Sequence, residues 1–353
     1  MTGHPGWDIP VGLGPEGIAL DTEGGRGFVA CSRSNHVAAF ATADGARLWE
    51  GAVGKEPIAI QYDHARRRVY TADARSDVVS VLDAADGSMV AQVAVQEYPA
   101  GLILDHRAGK LYCGNTAGSS VSALDVAGLR VRATVPARLG AGSLALDPVA
   151  GRVLCANFME DSITVIDGDS DRVVAEIPTG RAPCKVVVDA GRRRAYVADS
   201  LVGEVSVVDL DRLDITATMV VGGAPVGLAV TSDGGVLVIV DRSAGVIRGF
   251  DTRSGSLVGE VAVGDGPGDA VIDPVDGTIY VSNAGSGTLR AVPAPAWAAA
   301  AGPACAVPVP GVDTPLVGLP MPHFALPDMR TGAVRTIEEW QGKKYIVNFF
   351  ASW

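Results

Sequence analysis

From residue 15 to about residue 292 the chain repeats one order of short apolar runs and polar turns. A first run (GIALD, GLILD, SLALD, GLAVT) is followed, after a turn, by a second (RRVYTAD, KLYCGN, RAYVAD). A third run (VVSVLD, SITVID, VSVVD) and a fourth, such as VVAEIPTG, complete the unit. Alternating apolar and polar positions with many β-branched residues predict strands, and the intervening Asp, Gly and Ser supply turn chemistry. Each unit therefore holds four strands. A GxxP-like turn sets the register: its proline falls at Pro15, Pro57, Pro99, Pro183, Pro225 and Pro267, with Ala141 in the remaining place, and every step is 42 residues. Six residues after each anchor stands Asp21, Asp63, Asp105, Asp147, Asp189 or Asp273, with Thr231 as the exception. Thirteen after it stands a large apolar residue: Phe28, Tyr70, Tyr112, Leu154, Tyr196, Val238 or Tyr280.

A 42-residue unit of four strands matches a propeller blade and is too rich in strand for a helical solenoid of similar period. Seven such units predict an all-β fold, a seven-bladed β-propeller of four-stranded antiparallel blades over residues 1–295. An open ring would leave unpaired strand edges able to recruit other chains, so the ends must be zipped together. Residues 7–15, WDIPVGLGP, align with the fourth-strand pattern of EIPTGRAP and EVAVGDGP. The chain is thus expected to begin with the outer strand of its last blade. A rival for that place is CAVPVPGVDTP at residues 305–315. Proline is acceptable in either, because an outermost strand has one unpaired side.

The units resemble the YVTN β-propeller family, on YVAD at residues 196–199, YVSN at 280–283, SVVD at 206–209 and TVI at 164–166. The resemblance covers about 290 residues. It implies the propeller fold and, more loosely, an extracytoplasmic or surface protein that binds a protein or small-molecule ligand at a propeller face.

Composition narrows the classes of partner. The 353 residues are 48% hydrophobic, 20% charged and only 5% aromatic, with 44 glycines, as expected for many short strands joined by tight turns. A net charge of −11 opposes binding to phosphate backbones, so nucleic acid is not an expected partner. No apolar run reaches the length of a membrane span. MTGHPGWDIP has neither the basic start nor the apolar stretch of a secretory signal, although the family resemblance implies an exported bacterial protein. Cys31, Cys113, Cys155, Cys184 and Cys305 show no CxxC or CxxxC spacing, so neither a disulfide framework nor a zinc site is read from them. No cofactor is called for.

Candidate chemistry was sought by repeat position. Sixteen residues after each anchor lies Cys31, Asp73, Asn115, Asn157, Asp199, Asp241 or Asn283. At a strand end such side chains satisfy turn backbone, and the aspartates that close the third strands (Asp83, Asp125, Asp167, Asp209, Asp251) are read the same way. The residues one and two after each anchor are expected to ring the mouth of the central channel, where propellers commonly bind ligands. Most are small or apolar; Glu16, Ser143, Lys185 and Asp269 are the candidate ligand contacts, with an ion pair of Lys185 to Asp269 or Glu16 as the structural alternative. No catalytic residue, cofactor contact or metal ligand is assigned. His64 and His106 fall in first hairpin turns at the opposite face, and His36 and His323 have no nucleophile at a suggestive spacing. The runs Arg66, Arg67, Arg68 and Arg192, Arg193, Arg194 occupy the same kind of turn.

Beyond an Ala/Pro-rich linker, residues 296–313, the repeat register ends. Residues 314–353 resemble the start of the redoxin family of thioredoxin-like thiol-disulfide oxidoreductases. Gly318, Pro320, Pro322, Phe324, Leu326 and Asp328 match its opening GxPxPxFxLxD, Trp340, Gly342 and Lys343 a turn, and NFFASW at 348–353 its NFxASW stretch. The resemblance implies a CxxC pair directly after residue 353. The expected function is a non-catalytic binding or scaffold propeller forming part of a propeller-redoxin fusion. The alternatives are a thiol-disulfide oxidoreductase whose CxxC lies beyond this chain, and a metal-dependent lactonase-like hydrolase.

Overall fold

The computed structural model describes residues 6–299 and two short strands, Ala325–Pro327 and Val334–Thr336. The chain divides into two units, Met1–Cys305 and Ala306–Trp353. In the second, the described residues are the two short strands, paired antiparallel. The rest of the redoxin-like stretch and the rival closing strand at 305–315 lie outside the described residues.

The first unit contains seven four-stranded antiparallel sheets, six of them each built from one repeat. Blade 1 comprises Pro15–Asp21, Arg26–Cys31, His36–Ala41 and Arg47–Ala52, from the inside outwards, and blades 2 to 6 repeat that order. Blade 7 takes three strands from the end of the array, Pro267–Ile272, Ile279–Asn283 and Thr288–Val292, and its outer strand, Trp7–Pro10, from the beginning. Trp7 pairs with Ala291 and Pro10 with Thr288, so the N-terminal strand closes the ring.

The large residues thirteen after each anchor are all buried. The aspartates six after the anchors accept backbone N–H groups of the hairpin they precede: Gly24 to Asp21, Ala65 and Arg66 to Asp63, Val149 and Ala150 to Asp147. At the exception, Thr231 Oγ1 accepts from Val236 N and donates to Asp233. The third-strand aspartates do likewise, as in Ala85 N to Asp83 and Ala127 N to Asp125.

The joints between blades use matched side-chain sizes. At three of the joints an outer-strand residue meets the residue 38 places later in the chain. Trp7 lies on Gly45, where a Cβ would sit 3.0 Å from the indole; its ring meets Phe40 and Tyr280 at 5.6 Å, and its N–H reaches Thr42 O. Trp49 lies on Gly87 in the same way and donates to Ala84 O. Between blades 6 and 7 the sizes are exchanged. Gly259 stands at the tryptophan position, and Trp297, from the short helix Ala296–Ala299, fills the space over the cross-strand pair Gly249 and Gly259. Ala91 and Leu129 pack against one core cluster and Ala175 and Leu213 against another, and the Asp171 carboxylate holds Lys110 Nζ at 2.8 Å.

The residues sixteen after the anchors belong to the blade interior. Asp73 accepts from Thr71 Oγ1, Ser80 Oγ and Gly54 N; Asn115 donates to Ser120 and Ser122, and Asn157 to Ser162 and Thr164. Burial pushes the Asp73 and Asp199 carboxyls up to about 6, against the opposing hydrogen bonds from Ser80 and Ser206.

Two predictions follow from this packing. Trp7→Ala should cost about 2–4 kcal/mol in unfolding free energy, and Gly45→Leu in that background should recover part of the loss while destabilising the parent protein. Additive effects in a double-mutant cycle by chemical denaturation would contradict the size matching. The raised carboxyls bind protons in the folded state that the unfolded chain has already released, so their contribution to stability is lost as pH rises from about 4 through 6. Asp73→Asn, which installs the amide that other blades carry there, should add about 1–2 kcal/mol at pH 7.5 and almost nothing at about pH 3.5. Thermal unfolding at the two pH values measures this.

Candidate ligand-binding mouth

Every inner strand begins with a register shift immediately after its anchor, between Pro57 and Ala59 in blade 2 and between Pro183 and Lys185 in blade 5, for example. A bulge turns the strand locally and re-aims side chains. Here it directs the residues after the anchors into the channel mouth, a cavity of about 610 Å³. Glu16, Ser143, Lys185 and Asp269 all line it, as their spacing predicts.

Their chemistry is nonetheless committed within the protein. Lys185 Nζ lies 2.7 Å from Asp269 Oδ1, so blade 5 is bound to blade 7 across the small residues Val226 and Gly227 of blade 6. Arg242 of blade 6 faces Glu16 of blade 1 at 3.7 Å and donates through Nε to Pro267 O. The alternative pairing of Lys185 with Glu16 is thus replaced by one with Arg242. Burial raises the Glu16 carboxyl above its ordinary range; Arg242 opposes the shift and Asp269 adds to it. Ser143 Oγ accepts from Val186 N at 3.2 Å. Cys184, also in the mouth, donates to Pro225 O, and burial pushes its thiol up to about 11. That thiol is a structural donor at neutral pH.

The two interleaved ion pairs occupy the side of the mouth formed by blades 5, 6, 7 and 1. The opposite side is largely apolar: Ile58, Ala59, Ala100 and Gly101 line it together with Gln61 and Thr116, and the aromatic side chains Tyr98 and Phe158 line the mouth there as well. Tyr98 is fixed by a 2.7 Å hydrogen bond from its hydroxyl to Glu56, itself paired with Arg75. Phe158 is 45% exposed, with Met159 and Leu139 exposed beside it; Met159 N is bonded to Leu139 O.

Reasoning from the anchors misses Arg242, Tyr98 and Phe158 because they stand on loops outside the inner strands. A signal was present for Phe158: its repeat position holds Ser32, Ala74, Thr116, Ser200, Arg242 or Ala284 elsewhere, so the turn itself has no need of an aromatic. Three members of the arginine runs at the other face are paired, Arg66 with Asp63, Arg192 with Asp189, and Arg193 with both Asp147 and Asp211, and Arg68 donates to Val126 O. His36 Nε2 lies 3.0 Å from Val11 O. Among the described residues, no group of three or more His, Cys, Asp or Glu is placed to hold a metal, and no helix is long and apolar enough to cross a membrane.

No family model matches the chain, and no curated protein matches it in sequence. Among solved structures it is similar to hydrazine synthase of Kuenenia stuttgartiensis, with a TM-score of 0.73 and 18% identity over 80% of this chain and 96% of that one. At this identity the likeness is one of fold, and it agrees with the propeller seen here.

Lys185→Met should destabilise the protein by about 1–3 kcal/mol by leaving Asp269 unpaired in a half-buried site, and adding Asp269→Leu should return much of it. Equal losses in the single and double variants would show that the pair is not what these side chains contribute.

Proposed function

We propose that the propeller is a non-catalytic binding or scaffold module that takes a protein or small-molecule ligand at this mouth. The observation that carries the reading is the division of the mouth into a pre-paired polar side and a largely apolar, half-buried side with two aromatic rings, of which Phe158 is exposed. Side chains locked in mutual ion pairs present a fixed surface and hold little free acid, base or nucleophile, whereas a rigid apolar wall with few oriented polar groups is what ligand pockets generally offer. Glu16, Ser143, Lys185 and Asp269 then shape and orient the ligand, and Tyr98 and Phe158 supply the contact area. The YVTN-like repeat motifs agree with such a role.

A second reading rests on residues 314–353, whose Gly318, Pro320, Pro322, Phe324 and NFFASW resemble a redoxin opening. In it the propeller presents substrates to thiol-disulfide chemistry carried by residues after 353. Insulin reduction by a chain extended through its native gene decides between the two. The lactonase-like alternative would require a cluster of metal ligands at the mouth, and the lining offers only Glu16 and Asp269 as carboxylates, both paired.

Selection of a displayed random-peptide library on the full chain should enrich binders whose affinity falls at least tenfold with Phe158→Ser while the thermal midpoint is unchanged. Failure to enrich any binder, together with no small molecule captured above background, would count against the proposal; so would binders indifferent to Phe158.

A further inference from the structure

At the end of the channel opposite the mouth, His64 and His106 project from the first hairpin turns of blades 2 and 3. Both are exposed. Their ring centroids are 4.8 Å apart and their planes are inclined by 47°. The other blades place Thr22, Pro148, Ala190, Ser232 and Pro274 at this position, so the turn folds without an imidazole. The juxtaposition has no evident purpose in the packing.

It has the dimensions of a shared ion. With metal–nitrogen bonds of about 2.0–2.1 Å and a ring centre roughly 1.1 Å behind each nitrogen, two imidazoles on one ion hold their centroids about 4.5 Å apart at a right angle and about 5.1 Å apart at the tetrahedral angle. The observed separation falls between these. A carboxylate also stands close to the imidazole of His106: Nδ1 lies 3.9 Å from Oδ1 of buried Asp63. The neighbouring positive charges are partly offset, Arg66 by Asp63 at 3.1 Å and Arg107 by the exposed Asp169 at 3.4 Å.

We propose that His64 and His106 form a two-histidine site for a late first-row divalent ion, Zn²⁺, Ni²⁺ or Cu²⁺. Imidazole suits these ions better than Mg²⁺ or Ca²⁺, which favour oxygen ligands. The remaining coordination positions face solvent and are open to water or to a ligand from outside, as in sites that exchange their ligands.

The test is isothermal titration of the metal-free full chain with ZnCl₂ and NiCl₂ alone, in parallel with His64→Thr, His106→Ser and the double variant. Each substitution borrows a residue that another blade already carries at that place. Expected is one equivalent of ion that the double variant no longer takes up, an at least tenfold weaker affinity in each single variant, and unchanged thermal unfolding without metal. Electron paramagnetic resonance of the Cu²⁺-loaded protein should show nitrogen hyperfine coupling that disappears in the double variant. Equal uptake by parent and double variant would overturn the proposal. The same holds if inorganic phosphate, and no metal, binds in a manner sensitive to these two histidines, since that would make the cluster an anion site.

Discussion

A four-stranded sheet has two apolar faces and nothing of its own to cover them with. That constraint governs this molecule. Each blade hides its faces against the blades on either side, so no blade is stable by itself and the array is satisfied only when the last face meets the first. The strand Trp7–Pro10 performs that closure by backbone pairing with Thr288–Val292, and the ring of Trp7 fills the adjoining joint over Gly45. Hydrogen bonding and side-chain packing thus converge on the one place where the covalent chain is interrupted.

Size matching at the joints lets a repeated backbone carry unequal side chains. Trp7 over Gly45, Trp49 over Gly87 and Trp297 over Gly259 each place an indole where the partner has no side chain. Where the tryptophan position holds Gly259, Trp297 returns from beyond the last strand to complete the joint, and in doing so fixes the point at which the chain leaves the ring. The same tolerance applies at the mouth. Because each inner strand is held by its anchor, its bulge and its aspartate-capped hairpin, the loop residues are free to vary, and variation there builds a paired polar side and an apolar side from one repeated plan.

Much of the architecture was legible in the sequence because it is written seven times. The anchors, the aspartates and the buried aromatic positions gave blade number and strand order, as the seven four-stranded sheets bear out, and left two candidates for the closing strand, between which the pairing of Trp7–Pro10 with Thr288–Val292 decides. The mouth was legible only as a location. Spacing placed Glu16, Ser143, Lys185 and Asp269 around it, but which cation meets which anion depends on reach across the channel, and the small residues Val226, Gly227 and Gly268 decide that reach. Tyr98 and Phe158 escaped notice for a related reason: they depart from the repeat, and a search for periodicity averages such departures away.

The closing strand also has a consequence for biosynthesis. Trp7 and its neighbours leave the ribosome long before their partners, residues 288–291, which are among the last of the ring to appear. At ordinary elongation rates of about 5–20 residues per second, the interval is on the order of tens of seconds. Throughout that time the nascent chain carries a solitary apolar strand and a growing stack of blades with an uncovered end. The molecule acquires its final topology in a late event of very long sequence separation.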